Sequence, residues 1–322
     1  MGTLAPETSP LTEAFYREYY ESDPADQAAY VSSHWADYGS RCKVEADQRG
    51  RIRMMRGAGF GIVATRNPIE PWVASLSHRV YLTRRPEARE VLALMQAAKP
   101  VCRAAGFFLS FDVFRQLCAL ALLQRWMPAA MRRRRLTVLV IGDGYGLLSA
   151  MLKTLYPSST IVLVDLGRSL LFQAHACQRV HPRATHDGIT RATVRSGIPR
   201  RDADFIYCPT EYLDTLRALR YDLAITIAAM QEMNARTVAR YFGFLRARLS
   251  DDHLFYCCSR QSKALVGGER SVFDEYPWDP ADRHLIDEIC PWYRSYWSSR
   301  FPFLTRFEPI RHRLSHLAPA AG

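Results

Sequence analysis

The strongest chemical signal in the chain comes from Gly142, Gly144 and Gly146, spaced G-x-G-x-G, followed by Asp165. Glycine adopts positive φ without a Cβ clash, so such a run can turn the chain sharply and let a ligand approach the backbone. A carboxylate beyond it can accept hydrogen bonds from both hydroxyls of a ribose. Both features need positioning. Thr137–Ile141 is a short β-branched apolar run that reads as a strand buried on both faces. Leu147, Leu148, Met151, Leu152 and Leu155 then recur at helical spacing, Pro157-Ser158 ends that helix, and Ile161–Val164 reads as a second strand closing on Asp165. Strand, glycine turn, helix, strand and acid make the first half of a nucleotide-binding α/β unit.

The rest of the chain supplies more of the same alternation. Strands are expected at Asp204–Pro209, Leu223–Ala228 and His253–Ser259, with Asp251-Asp252 as a turn before the last. Helices are expected over Ser169–Val180, Thr210–Leu219 and from Asn234 to Leu249. This pattern predicts an α/β fold with a doubly wound, mostly parallel Rossmann-like sheet and ligands at the strand C-terminal ends. Phe301–Phe307 and Ile310–Leu317 are the candidate antiparallel pair closing it. Upstream, Ser9-Pro10 is a helix start, a second helix is expected from Ala25 to Ala36, and Pro86–Gln96 and Phe111–Trp126 are amphipathic. A second G-x-G-x-G at 57–61 has no buried strand before it and no helix after it, so 51–60 reads as a loop and 67–72 as a linker. Residues 1–100 therefore read as a helical cap and 101–322 as the nucleotide-binding domain, with residues 1–8 frayed.

Composition narrows the function. No uncharged apolar run reaches the ~18 residues of a membrane span, and the most apolar stretch, Ala104–Met127, is broken by Asp112, Arg115, Gln116 and Arg125. No basic segment followed by an apolar one opens the chain, so no signal peptide is expected. The eight cysteines contain no C-x-x-C pair, which favours reduced thiols and a cytoplasmic location. A net charge of +11 invites a nucleic-acid reading. The only dense basic run, Arg132–Arg135, sits at a helix–strand junction, however, and an anionic small substrate suits the charge equally well. His181, His186 and Asp187 match no zinc spacing, and no metal is expected.

The glycine spacing discriminates between cofactors. Dinucleotide sites use G-x-G-x-x-G/A, and Leu147 occupies the position of the last small residue. The segment Val-Ile-Gly-Asp-Gly-Tyr-Gly at 140–146 resembles motif I of S-adenosylmethionine-dependent methyltransferases. With Val-Asp-Leu at 164–166, Met-Gln-Glu-Met at 230–233, Tyr241-Phe242 and Ser-Arg-Gln-Ser-Lys at 259–263, the chain resembles the bacterial sugar O-methyltransferases of the class I type. That resemblance covers about residues 136–263. It implies S-adenosylmethionine held by Gly142, Asp143, Gly144, Tyr145, Gly146, Asp165 and Leu166, and a small-molecule acceptor, a sugar or sugar conjugate, rather than nucleic acid or membrane. Such enzymes carry an acid where this chain has Val140, and Asp143 is a candidate substitute for binding the cofactor's ammonium group.

Methyl transfer to a hydroxyl needs in-line placement and removal of a proton. Glu232, at the ligand-facing edge after the fourth strand, is the first candidate base, and it also suits a helix N-terminus. His284 and Asp274, in the segment that could fold over the site, are the other candidates. His253 lies at the opposite edge of the sheet. Gln231 could orient a sugar hydroxyl, and Arg260 and Lys263 could bind an anionic acceptor. Trp278, Trp292, Tyr293, Tyr296 and Trp297 read as core before they read as a stacking platform. Two rivals to a methyltransferase stand: a non-catalytic protein of the same fold, favoured by Val140, and a nicotinamide-dependent oxidoreductase, opposed by Leu147.

Overall fold

The computed structural model describes residues 9–22, 25–48, 51–57, 60–61, 67, 69–83, 85–196, 202–297 and 303–320. Its centre is a sheet of eight strands: β1 (Thr137–Ile141), β2 (Thr160–Asp165), β3 (His186–Gly188), β4 (Phe205–Pro209), β5 (Tyr221–Ile227), β6 (Leu249–Arg260), β7 (Arg283–Ile289) and β8 (Ile310–His316). In space they run β7-β8-β6-β5-β1-β2-β4-β3. Only β8 is antiparallel to its neighbours, β6 and β7; the pairs from β6 to β3 are parallel. The predicted doubly wound, mostly parallel sheet is thus present.

Among the described residues, ten α-helices follow in chain order: α1 (Pro10–Tyr16), α2 (Ser33–Arg41), α3 (Glu70–Leu82), α4 (Ala88–Ala105), α5 (Phe111–Trp126), α6 (Ala129–Arg133), α7 (Leu147–Leu155), α8 (Gly167–Val180), α9 (Arg191–Ser196) and α10 (Ala235–Arg248). Alternation along the strands divides the core into two layers. Val138 and Val140 of β1 pack with α4, α5, α7 and α8. Leu139 and Ile141 pack on the other face, with α10 and the 3-10 turn Thr210–Leu216.

Several elements differ from their sequence reading. The closing strand β8 pairs with Arg283–Ile289, not with 301–307. Leu304–Arg306 instead forms a small hairpin with Ser295–Trp297; Phe301 and Pro302 lie outside the described residues. Asp251 and Asp252 continue β6 rather than turning, since the strand starts at Leu249. Ile52–Arg56, inside the loop expected at 51–60, is a strand that pairs antiparallel with Lys43–Ala46, with Ile52 and Met55 buried. Ala25–Tyr30 is a 3-10 helix, and α2 begins only after the Ser32 cap. The linker stretch is occupied from Glu70 by α3, and α4 runs on through Pro100 because Val101, Cys102 and Ala105 extend its buried face. Residues 1–8, 62–66 and part of the second glycine run lie outside the described residues.

The N-terminal segment is tied to the edge where the parallel strands end. Ser9 caps α1 in a capping box with Thr12 and donates to Gln178 of α8 at 2.7 Å. Tyr19 donates to Glu211 after β4 at 2.8 Å, and Ser32 donates to the carbonyl of Glu232 after β5. At the opposite edge, Arg246 of α10 grips Asp282 with both guanidinium nitrogens, at 2.6 and 2.9 Å, and reaches the carbonyls of Pro277 and Ala318. The Asp282 side chain is fully buried, so this pair fixes the start of β7 to α10. Arg246→Ala leaves a buried carboxylate served only by the backbone N–H groups of Asp279 and Ala318. We expect a loss of about 3 kcal/mol in urea-denaturation stability, the lower end for breaking a buried ion pair.

Candidate functional site

Strands β1, β2, β4, β5 and β6 all end at one edge, and their following loops meet there. The first of these turns is held by close contact. Gly142 has φ +74°, and a Cβ there would come 2.2 Å from that of Ala229, in the loop after β5. Gly146, at φ +81°, lies so near α8 that a Cβ would meet backbone atoms of Gln173 at 2.9 Å. Opposite, Ala228 takes φ 59°, an uncommon conformation for a residue with a side chain, and its N–H donates to the carbonyl of Cys258 at 2.7 Å. Strained backbone therefore meets glycine backbone across the mouth of the sheet.

Between them is a cavity of about 300 Å³, lined by Gly142, Asp143, Gly144, Asp165, Ile227–Ala229 and Glu232. Trp35 and Phe60 of the N-terminal segment, Asp112, Arg115 and Gln116 of α5, Arg260 and Tyr293 complete it. A second cavity of about 440 Å³ adjoins Leu166, Arg168 and Ser169 and is roofed by Gln27 and α2. Trp35 and Phe60 line both, their rings stacked with centroids 5.3 Å apart. The two cavities flank the tip of β2, one at Asp165 and the other at Leu166.

The carboxylates at this edge have distinct environments. Asp165 accepts from the N–H of Leu166 at 2.7 Å and from Gln173 Nε2 at 2.6 Å. Burial pushes its pKa up to about 7, against those hydrogen bonds. Asp143 accepts from the N–H groups of Leu148 at 3.1 Å and Ser149 at 2.7 Å, capping α7, and burial raises it also to about 7. Both its oxygens serve the helix, so Asp143 is positioned as a cap. Glu232 is held at 2.7 Å from Lys263 Nζ and 3.5 Å from His34 Nε2. Burial alone would raise it, but the hydrogen bond to His34 and the charge of Lys263 outweigh burial and keep its pKa below the ordinary glutamate value.

The other sequence candidates are distributed differently. Gln231 is buried, with its amide oxygen accepting from the N–H of Arg260 at 2.7 Å, so it braces β6 against the β5 loop. Arg260 lines the cavity and also reaches Glu308 at 2.9 Å. Lys263 stands behind Glu232. Tyr145 points to the N-terminal hairpin, its hydroxyl donating to the carbonyl of Gly57 at 3.3 Å. His284 and Asp274 are not brought to the cavity. His284 sits in β7 at the sheet edge, 2.8 Å from Ser315 Oγ, because β7 pairs with β8 instead of folding over the site. Asp274 is a largely exposed partner of Arg311 at 2.9 Å. His253 lies at the opposite edge, donating from Nδ1 to the carbonyl of Ser250 and accepting at Nε2 from the N–H of Leu317. Among the described residues of the late aromatic cluster, Tyr293 lines the cavity and Trp278 packs on Phe242 and Phe255; the side chains of Tyr296 and Trp297 lie outside the described residues.

Sequence reasoning missed Trp35, Phe60, Asp112 and Arg115. Asp112 and Arg115 did carry a signal, as charges interrupting the most apolar stretch of the chain. Among the described residues no group of three or more His, Cys, Asp or Glu could hold a metal ion, and no helix is long and apolar enough to cross a membrane.

No protein-family model and no curated protein matches the chain. Solved structures do resemble it. A precorrin-6y C5,15-methyltransferase from Geobacter metallireducens GS-15 is similar with a TM-score of 0.36 and 11% identity, over 57% of this chain and 81% of that one. A magnesium protoporphyrin IX methyltransferase from Synechocystis PCC 6803, with bound SAM, is similar at 0.38 and 13% identity, over 61% and 77%. The pyocyanin biosynthetic protein PhzM is similar at 0.37 and 13% identity, over 75% of this chain and 62% of its own.

Proposed function

We propose that this protein is a class I S-adenosylmethionine-dependent methyltransferase acting on a hydroxyl of a sugar or sugar-like small molecule. The observation that carries the reading is the juxtaposition at the tip of β2. Asp165 faces one cavity beside the positive-φ glycine turn, and Leu166 faces the next. A ribose on Asp165 would leave the base to the Leu166 side and the amino-acid end to the Gly142–Gly144 side. The glycine cradle has no room for side chains, which fits backbone approach to a ligand, and the cavity volumes fall within the range of about 300–1,000 Å³ of small-molecule sites.

Bound there, the cofactor supplies an electrophilic sulfonium methyl group. The chain's own residues then have to orient the acceptor and receive its proton. Glu232, ionised and clamped by Lys263 and His34, offers its remaining lone pairs to an acceptor hydroxyl. A carboxylate of lowered pKa is a weak base, so its larger contribution is orientation, with proton transfer following as the hydroxyl becomes acidic in the transition state. Arg260 at the cavity wall suits a phosphate or carboxylate on the acceptor. The sugar itself is supported by the Met-Gln-Glu-Met and Ser-Arg-Gln-Ser-Lys segments alone. A cytoplasmic setting suits eight cysteines none of which forms a disulfide.

Calorimetric titration with S-adenosylmethionine and S-adenosylhomocysteine tests the cofactor. We expect micromolar binding, weakened about tenfold or more by Asp165→Ala, because two ribose hydroxyls lose a charged acceptor. Absence of binding to folded protein would overturn the reading and favour a non-catalytic protein. Glu232→Gln should lower kcat by roughly 10²-fold with little change in S-adenosylhomocysteine affinity; an unchanged kcat would remove Glu232 from the chemistry.

The pH dependence follows from Asp165. Its ionised form is the better acceptor for ribose, and with a pKa of about 7 its ionised fraction grows from about a tenth at pH 6 to about nine-tenths at pH 8. Binding should therefore strengthen several-fold over that interval, with proton release. Asp165→Asn should bind weakly and with a flat pH profile; an unchanged slope in that variant would assign the dependence to another group.

A further inference from the structure

The cavity contains an ion pair that the reaction outlined above does not use. Asp112 and Arg115 are three residues apart near the start of α5, whose first turn is capped by Ser110. That spacing puts both on one face of the helix, and both line the cavity with Gly142, Gly144 and Asp165. Glu232 and Arg260 also carry charge there, but their ion-pair partners, Lys263 and Glu308, do not line it.

We propose that Asp112 and Arg115 bind the amino-acid end of the cofactor, Arg115 taking the carboxylate and Asp112 the ammonium group. This rests on the cofactor reading above and names the residues that select for its zwitterion. Three aromatic rings surround the guanidinium of Arg115: its central carbon lies 3.8 Å from the ring centre of Tyr293 and 4.9 Å from those of Phe111 and Phe307. Cation–π contacts restrain the head group, and its planar fork of N–H donors suits a bidentate carboxylate. Asp112 is seated against Gly61, where a Cβ would come 2.9 Å from its Oδ2. Gly61, at φ +87°, thus leaves the space that this carboxylate fills.

Charge balance makes the pair selective. Arg115 is only 7% exposed, so separating it from Asp112 without replacement is costly. A zwitterion can enter between the two and give each a new partner of opposite sign. A ligand carrying only one of the charges engages one member of the pair and draws it from the other, and a ligand carrying neither leaves the pair closed. The site should therefore prefer S-adenosylhomocysteine to adenosyl thioethers that lack the amino-acid end.

The test compares two ligands on the full-length protein by calorimetry: S-adenosylhomocysteine and 5′-methylthioadenosine, which keeps adenosine and sulfur but lacks the amino acid. The wild type should bind the first more tightly by about tenfold or more. Asp112→Asn and Arg115→Gln should each remove most of that preference, weakening S-adenosylhomocysteine about tenfold while leaving 5′-methylthioadenosine within about twofold. Arg115→Lys should recover part of the preference, since it restores charge without the planar fork. Thermal midpoints close to that of the wild type would show that the pocket is intact. The proposal fails if the wild type does not discriminate between the ligands, or if the variants keep the wild-type ratio. It fails too if both affinities fall equally, which marks a loss of pocket shape. Wild-type protein that binds neither ligand would overturn the cofactor reading itself, an outcome distinct from these.

Discussion

The approach of the Gly142 backbone to Ala229 is the constraint on which the ligand edge depends. Two loops following adjacent parallel strands, β1 and β5, come together so closely that no Cβ fits at position 142. That contact sets the depth of the cavity floor. It also explains why Ala228 is held at positive φ: the chain leaving β5 must clear the glycine turn while its N–H remains bonded to Cys258 in β6. Strain at Ala228 costs on the order of 1–3 kcal/mol and persists only because strands on both sides fix its ends. A side chain at Gly142 would therefore disturb both loops, and with them the placement of Glu232 three residues beyond Ala229.

Electrostatics at this edge is organised by giving each carboxylate a different kind of partner. Asp143 is neutralised by helix N–H groups, Asp165 by one backbone N–H and an amide, Glu232 by a lysine and a histidine, and Asp112 by an arginine. Only the last two are paired with full positive charge. Asp165 and Asp143, lacking a cation, are driven up to about 7 by burial. On the proposed function, a carboxyl that titrates near neutrality would gain when ligand hydroxyls arrive to stabilise its charge, whereas Glu232, held below the ordinary glutamate value, would meet an acceptor in its ionised form.

What was legible in the sequence was what a local pattern determines. Thr137–Ile141 and Phe111–Trp126 could be read to the residue, because a strand buried on both faces and a capped helix each have their own periodicity. Asp165 followed from the strand that carries it. Pairing was not legible: the partner of β8 could be Arg283–Ile289 or a segment nearer in sequence, and the mostly exposed β7, rich in charge, hid its own strand character. The same limit applied at the site. Gln231 and Asp143 look like ligand-binding residues by type, but both spend their oxygens on backbone N–H groups that only the fold brings near. Trp35 and Phe60 look like ordinary core residues until the N-terminal segment is seen to wall the cavity.

That wall links the chemistry to the cap. Glu232 is fixed from both directions: Lys263 holds its carboxylate from the segment after β6, while Ser32 and His34 hold its carbonyl and its carboxylate from the start of α2. The candidate base is thus in place only when α2 is docked. Trp35, one residue beyond His34, closes the same cavity and stacks on Phe60. The start of α2 therefore both walls the cavity, through Trp35, and holds Glu232, through Ser32 and His34. Low-dielectric walls strengthen the charged contacts beside them, so on the proposed function the N-terminal segment would act together with the glycine turn although it lies far from it in sequence.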